Sequence, residues 1–306
     1  MSHIPPAMAR TDDLVAPFQI ETQPVRGRVA RLGAAIDEVL TRHAYPEAVA
    51  NLLGEACVLA ALVGSGLKFE GRLLVQAQGD GPVSLLVADY DAATGGLRGY
   101  GRFDAERVAA ASQGFVRPGA GALLGHGAFV MTLDQGPDMD RYQGVTPIEG
   151  ETLALAAETY FSQSEQTPTR VRLAVGTAPD PIAGHPVWRA GGLMIQNIAE
   201  DEARGSTAEA WTTAQALFET LGEDELTDPQ LPAQRLLWRL FHEEGVRMFT
   251  PKPVKAFCRC SRERIAEVLA SFAPAERAAM VAEDGRIRVT CEYCARDYVF
   301  TPEDAG

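Results

Sequence analysis

The chain has 306 residues, 46% of them hydrophobic, and a formal net charge of −13. That length holds about two domains and at least one sizeable core. Residues 251–306 carry nine Lys/Arg and nine Asp/Glu, so all of the −13 lies in the body before them, which argues against a nucleic-acid backbone as the main partner.

The first seventeen residues read as a flexible tail. They have no secretory pattern, with Asp12-Asp13 standing where an apolar run would be needed. The longest apolar run, near Val58 to Val63, falls short of a membrane span. The expected location is therefore cytoplasmic, with no membrane partner and with thiols kept reduced.

Phe18–Ile20 and Val25–Leu32 read as strands, and Ile36, Val39 and Leu40 as a short helical stripe. Pro46 opens a long helix from Glu47 to about Leu67. Cys57 lies in its apolar stripe with no cysteine nearby and reads as a small core residue. Gly71–Gln78 and Val83–Ala88 are strands joined by the turn Gly79-Asp-Gly81-Pro82. Leu97–Phe103 and Ala128–Leu133 are further strands, with a Gly/Ala-rich loop between them. Glu151–Gln163 is a helix. Thr169–Val175 and Gly192–Ile198 complete the strands, and Gly176–Gly191, with three prolines, reads as a surface loop. Strands and helices in irregular order imply an α+β core domain over 18–198.

Residues 199–230 are acidic, with apolar anchors Trp211, Ala214, Leu217, Phe218 and Leu221 at helical spacing. After two proline breaks, Ala233–Glu244 forms another helix with Leu236, Leu237, Leu240 and Phe241 on one face. The span 199–250 reads as a helical linker whose narrow apolar stripes must dock on a neighbour, because short helices are marginal alone. It reads equally as the end of the first domain.

Pro251-Lys-Pro253 marks the start of a small C-terminal domain, 251–306. Cys258-Arg-Cys260 is followed by Ser261, a good N-cap, and a helix with Ile265, Val268, Leu269 and Phe272 on one side. A second helix runs from Pro274 to Asp284-Gly285. Arg286–Thr290 is a strand, Cys291-Glu-Tyr-Cys294 a knuckle and Tyr298–Phe300 the returning strand. Two tight cysteine pairs suit one tetrahedral thiolate site for Zn²⁺, on Cys258, Cys260, Cys291 and Cys294. With an expected core of about eight to ten side chains, a domain this small needs a metal or disulfides.

Thiolates are also what oxidants attack, so a four-cysteine site is a potential redox sensor. Four cysteines allow three disulfide pairings, of which the local one moves the chain least. Competing readings are a structural zinc site without a switch, a zinc-ribbon module binding nucleic acid, and a dithiol oxidoreductase. The five histidines form no ligand pair, and no nucleophile elbow, Walker lysine or dinucleotide fingerprint is present. No enzyme is indicated.

The C-x-C and C-x-x-C pairs resemble the zinc centre of the heat-shock protein 33 family of redox-regulated chaperones. Leu67-Lys-Phe-Glu-Gly-Arg-Leu73, Gln78-Gly-Asp-Gly-Pro82, Asp134-Gln-Gly136, Arg141-Tyr-Gln-Gly144, Tyr160-Phe-Ser-Gln-Ser-Glu-Gln166, Leu240-Phe-His-Glu-Glu244 and Cys260-Ser-Arg-Glu-Arg264 resemble the same family. The resemblance runs in order from about residue 18 to 302. It implies an ATP-independent holdase for unfolding client proteins, monomeric and inactive when reduced and holding one zinc. It further implies that oxidation forms Cys258–Cys260 and Cys291–Cys294 disulfides and releases zinc. The linker and zinc domain then unfold and an active homodimer appears.

Overall fold

The computed structural model describes residues 12–115, 117–136, 139–148, 150–198 and 208–305. Strands β1 (Leu14–Ile20) and β2 (Val25–Leu32) are followed by helices α1 (Ala34–Thr41) and α2 (Glu47–Gly64). Next come β3 (Arg72–Gly79), β4 (Val83–Asp91), β5 (Gly96–Phe103), α3 (Ala105–Ala111), α4 (Ala120–Leu124), β6 (Gly127–Asp134), β7 (Tyr142–Pro147) and α5 (Leu153–Gln163). A long hairpin, β8 (Thr169–Asp180) and β9 (His185–Asn197), precedes α6 (Ala208–Glu219), α7 (Glu223–Thr227) and α8 (Ala233–Phe241). Three short strands follow: β10 (Val246–Met248), β11 (Lys252–Pro253) and β12 (Lys255–Ala256). The chain ends with α9 (Arg262–Ala270), α10 (Pro274–Ala279), β13 (Ile287–Thr290) and β14 (Asp297–Phe300). This is the expected α+β class.

Two compact units result, one up to Ala256 and one from Phe257. In the first, one sheet has the order β10-β1-β2-β9-β8, with β11 also on β1, and the other has the order β12-β5-β4-β3-β6-β7. Helix α2 packs against strands of both sheets. Fourteen of its 18 residues are buried, and they include Leu53, Cys57, Val58 and Leu62 at the centre of the main core. Its length and hydropathy would allow a membrane span, but a helix buried on all sides is what a two-sheet core requires.

The other face of the first sheet has its own core. Ala16, Phe18 and Ile20 of β1, Val25 and Val29 of β2, and Leu193 and Ile195 of β9 pack against Ala214, Phe218, Leu226, Leu236, Leu237, Leu240 and Phe241. Alternation in β1 sends Val15 to the main core and Ala16 to this second one, as a period of two demands. Helix α8 is strongly one-sided, and Phe241 stacks on Phe18 with ring centroids 5.9 Å apart.

Arginines of the sheet hold the open carbonyls at the ends of these helices. Arg31, 1% exposed, donates to Glu225 O at 2.7 Å and to Asp228 O. Arg189 Nε donates to Thr227 O at 3.0 Å, and Arg172 donates to Leu221 O and, at 2.7 Å, to the Glu219 carboxylate. Helix C-termini leave such carbonyls unpaired, and cations suit them.

Several expectations need correction. Leu14–Pro17 is not tail but the first half of β1, paired with β2 from Leu14↔Arg31; residues 1–11 lie outside the described residues. Residues 176–191 are not a loop but the far end of the β8–β9 hairpin, paired out to Asp180↔His185. The segment between β5 and β6 contains two helices, and Asp104 caps the first by accepting from Glu106 N and Arg107 N, both at 3.0 Å.

The described part of the linker, 208–250, belongs to the first unit, because α6 to α8 share the second core and β10 pairs with β1; 199–207 lie outside the described residues. The second unit begins at Phe257 and not at 251, because β11 pairs with β1 and β12 lies parallel to β5.

Candidate metal centre

The second unit has very little core. Among its described residues only Leu269, Ile287 and Phe300 are buried, with Ile265, Ala266, Val281, Val289 and Tyr298 packed against them. The small core expected of about eight to ten side chains is present, but only three of its eight members are buried. Val268 and Phe272 of the α9 stripe are 57% and 39% exposed, because one short helix over a two-stranded ribbon has only one face to cover. Arg262 adds what cover it can, with its guanidinium 4.5 Å from the Phe300 ring centre and bonds to Val299 O and Asp304.

The cysteines come from two separate loops. Cys258 and Cys260 follow β12 and precede α9, whose N-cap Ser261 accepts from Arg264 N at 3.2 Å. That cap turns the chain immediately after Cys260. Cys291 and Cys294 lie in the turn between β13 and β14, which pair from Ile287↔Phe300 to Thr290↔Asp297. The turn is closed by Cys291 N to Arg296 O at 3.0 Å and Ala295 N to Cys291 O at 2.9 Å, with Ala295 in the left-handed region at φ 53°.

These two loops bring all four sulfurs within 4.8 Å of one another. Cys258 and Cys291 Sγ are 3.7 Å apart and Cys260 and Cys294 Sγ 3.4 Å apart. Four thiolates bound tetrahedrally at about 2.3 Å stand about 3.8 Å from one another, so the cluster has the size a metal ion needs. None of the four is fully buried, which leaves the site open to small oxidants.

Tyr298 OH donates to Cys260 Sγ at 3.2 Å. Burial pushes the Cys260 thiol up, but the Tyr298 hydroxyl and the surrounding thiols pull it down to about 7. Burial pushes Cys291 up and pushes Cys294 up to about 12, the latter helped by its bond to Cys260. Without an ion, the Cys260 thiolate forms most readily and disfavours ionisation of its neighbours; a central cation would favour the thiolate at all four, because a coordinated thiol is deprotonated. Arg296 is held charged by Tyr298 and by the sulfurs of Cys260 and Cys294. Cys57 is the opposite case: fully buried on α2 and pushed up to about 12 by burial alone.

Sequence reasoning missed Tyr298 as a partner of the site and Arg31 as an anchor of α7. Tyr298 sits four residues after Cys294 on the returning strand, a position where a hydroxyl reaches back to the knuckle. Arg31 gave no signal, since its contacts lie about two hundred residues away in the chain.

Residues 13–301 match the family described as Hsp33 protein. A "33 kDa chaperonin" of Caulobacter vibrioides (strain NA1000 / CB15N) is 69% identical over 305 residues, covering 100% of both chains. One from Enterobacter sp. (strain 638) is 38% identical, covering 97% of this chain and 94% of that protein. The crystal structure of a 33 kDa chaperonin, a heat shock protein 33 homolog from Thermotoga maritima, has the same fold, with a TM-score of 0.77 at 23% identity over 96% of each chain.

Proposed function

The chain belongs to the Hsp33 family of chaperones, and from that premise we propose that it is a redox-switched, ATP-independent holdase for unfolding proteins in the cytoplasm. The observation that carries this reading is the convergence of four half-exposed sulfurs in a unit with three buried side chains. Such a unit depends on its ion, and the ion's ligands are oxidisable.

In the reduced state Cys258, Cys260, Cys291 and Cys294 hold one Zn²⁺ as thiolates. When bound, zinc supplies about 10–16 kcal/mol of apparent folding free energy, more than so small a core retains. Two equivalents of peroxide convert the four thiolates to two disulfides. Four electrons pass to the oxidant, four protons are taken up and four waters are produced. A disulfide sulfur is no longer a thiolate ligand, so the site lets the ion go.

In the folded unit sulfurs of the two cysteine pairs touch, Cys258 to Cys291 and Cys260 to Cys294. The pairing Cys258–Cys260 and Cys291–Cys294 follows if the second bond closes as the unit loosens, because the shortest loops then close most readily. Such small loops replace little of the lost stability.

The short strands β10 to β12 run directly from α8 into the cysteine unit along the chain. Loss of order from Phe257 onward frees one end of that run. Helices α6 to α8, held by a narrow apolar face and by arginine-to-carbonyl bonds, then leave the first sheet. Phe18, Ile20, Val25, Leu193 and Ile195 are uncovered. A contiguous apolar surface of this kind binds unfolded chains or a second copy, which accounts for clients and for a homodimer in the oxidised state.

The test is light scattering of a chemically unfolded client diluted into buffer with this protein. Suppression by the peroxide-oxidised form alone is expected. Equal behaviour of the reduced, zinc-loaded form would reduce the centre to a structural staple.

A further inference from the structure

At one end of the first sheet, register places Arg247, Gln19 and Arg26 in one row on a single face, with Pro17 and Arg28 in the next. A cleft of about 210 Å³ opens there, lined by Pro17, Gln19, Arg26, Arg28, Ile198 and Phe249 among others. Phe249 N donates to Pro17 O at 2.9 Å, and the Arg247 guanidinium lies 5.6 Å from the Phe249 ring centre. Arg28 is half-buried, and its side chain rests on Gly66: a Cβ at that glycine would come within 2.1 Å of Nη2.

Six other arginines of the two large sheets, Arg31, Arg72, Arg98, Arg170, Arg172 and Arg189, all bond carboxylates or carbonyls. Among the described residues neither Arg26 nor Arg28 has such a partner. Burial and the nearby Arg26 pull Arg28 down to about 10, with no carboxylate opposing them. Placing two repelling cations at a partly dry cleft is costly unless an anion joins them.

We propose that this cleft binds a phosphoryl group, with Arg28 at its floor and Arg26 at its rim as donors and Phe249 and Ile198 as an apolar wall. A phosphate monoester or inorganic phosphate carries about 1.5 to 2 negative charges near neutral pH, which matches two guanidiniums; a carboxylate brings one. The planar fork of arginine also suits phosphate oxygens. The site is independent of the metal centre and of the chaperone reading.

The experiment is isothermal titration calorimetry of the full-length, reduced, zinc-loaded chain with inorganic phosphate, methyl phosphate, phenyl phosphate and acetate at constant ionic strength. Saturable binding of the phosphates, at least about tenfold tighter than acetate, is expected. Arg28→Met should weaken it about tenfold or more, with the circular dichroism spectrum unchanged. Gly66→Ala should weaken it too, by displacing the guanidinium without altering charge.

Tighter binding of phenyl than methyl phosphate would identify an ester with an apolar body as the ligand; equal binding of all three would identify phosphate itself. Phosphate also stabilises folded chains by exclusion from their surfaces, so a second readout compares melting temperatures: phosphate should raise that of the wild type more than that of Arg28→Met or Arg28→Gln. Equal shifts in all three, or acetate binding as well as phosphate, would overturn the proposal. Binding that appears only in the triple variant Glu200→Gln, Asp201→Asn, Glu202→Gln would also overturn it, by assigning the cleft to the chain's own acidic run.

Discussion

Helix α2 and helix α9 each stand beside cysteine, and they owe their order to different things. Helix α2 buries fourteen residues between two sheets, and its Cys57 is one more apolar group, held protonated by burial. Helix α9 buries only Leu269, and α10 beside it buries nothing. The first region is held by packing, which an oxidant cannot reach. The second gathers four sulfurs around very little core. On the proposed function an oxidant consumes those sulfurs, and the chain loses one part of its structure and keeps the other.

The largest expected effect sharpens that contrast. On the proposed function, stripping zinc with a chelator should take about 10–16 kcal/mol from the second unit. Limited proteolysis should then cut within 257–305 and within α6 to α8, while strands β1 to β9 and helix α2 survive. Cys260→Ser or Cys294→Ser should do the same without a chelator, whereas Cys57→Ala should cost only about 1 kcal/mol by urea unfolding. A chelated chain that resists cleavage between β13 and β14 would break the comparison.

Next in size is the cover over the first sheet. Phe241→Ala removes a buried ring stacked on Phe18 and should cost about 3–5 kcal/mol. Because the loss falls on the helices and not on the sheet, the reduced variant should suppress client aggregation without oxidant in the light-scattering assay. Arg31→Met leaves the carbonyls of Glu225 and Asp228 without their donor and should cost about 1–3 kcal/mol, read as faster amide exchange across 223–241.

The smallest effect concerns the thiols themselves. Tyr298→Phe removes the hydroxyl that donates to Cys260 and should weaken zinc about tenfold in competition with a chromophoric chelator. The sign of its pH dependence follows from the lowered Cys260 pKa. A depressed thiol keeps its thiolate, and hence its metal, down to lower pH; the contribution is fully present above the ordinary value near 8.5 and is lost as pH falls through about 7. Without the hydroxyl, protons compete earlier, so the pH of half-release should rise. Cys57, pushed up to about 12, should stay unmodified by iodoacetamide at pH 8 in the folded chain.

The sequence was most legible where chemistry is local. Two cysteine pairs, the Ser261 cap and the alternating strand before Cys291 place the cysteine cluster without any long-range knowledge, and the long apolar run from Glu47 marks α2. The β8–β9 hairpin was hidden by its prolines. Pro179 and Pro186 face one another beyond Ala190, the last residue of β9 that pairs with β2, so the missing amides cost no bond to a third strand. Strands β10 to β12 have two or three residues each and take partners far away in the chain, which no local pattern encodes. Helix α3 was legible and overlooked: Asp104 before Ala-Glu-Arg-Val is a cap followed by good helix formers. The exposure of Val268 and Phe272 depends on how little there is to pack against them, a property of the whole unit.

The most direct test of a chain that sheds one region and keeps the other is amide hydrogen exchange, resolved by peptide, on the zinc-loaded reduced form and on the peroxide-oxidised form. Oxidation should abolish protection across 257–305 and across α6 to α8, while β3, β4, β6 and α2 remain as protected as before. Full protection of α6 to α8 in the oxidised form would contradict the account, because the apolar face of the first sheet would still be covered.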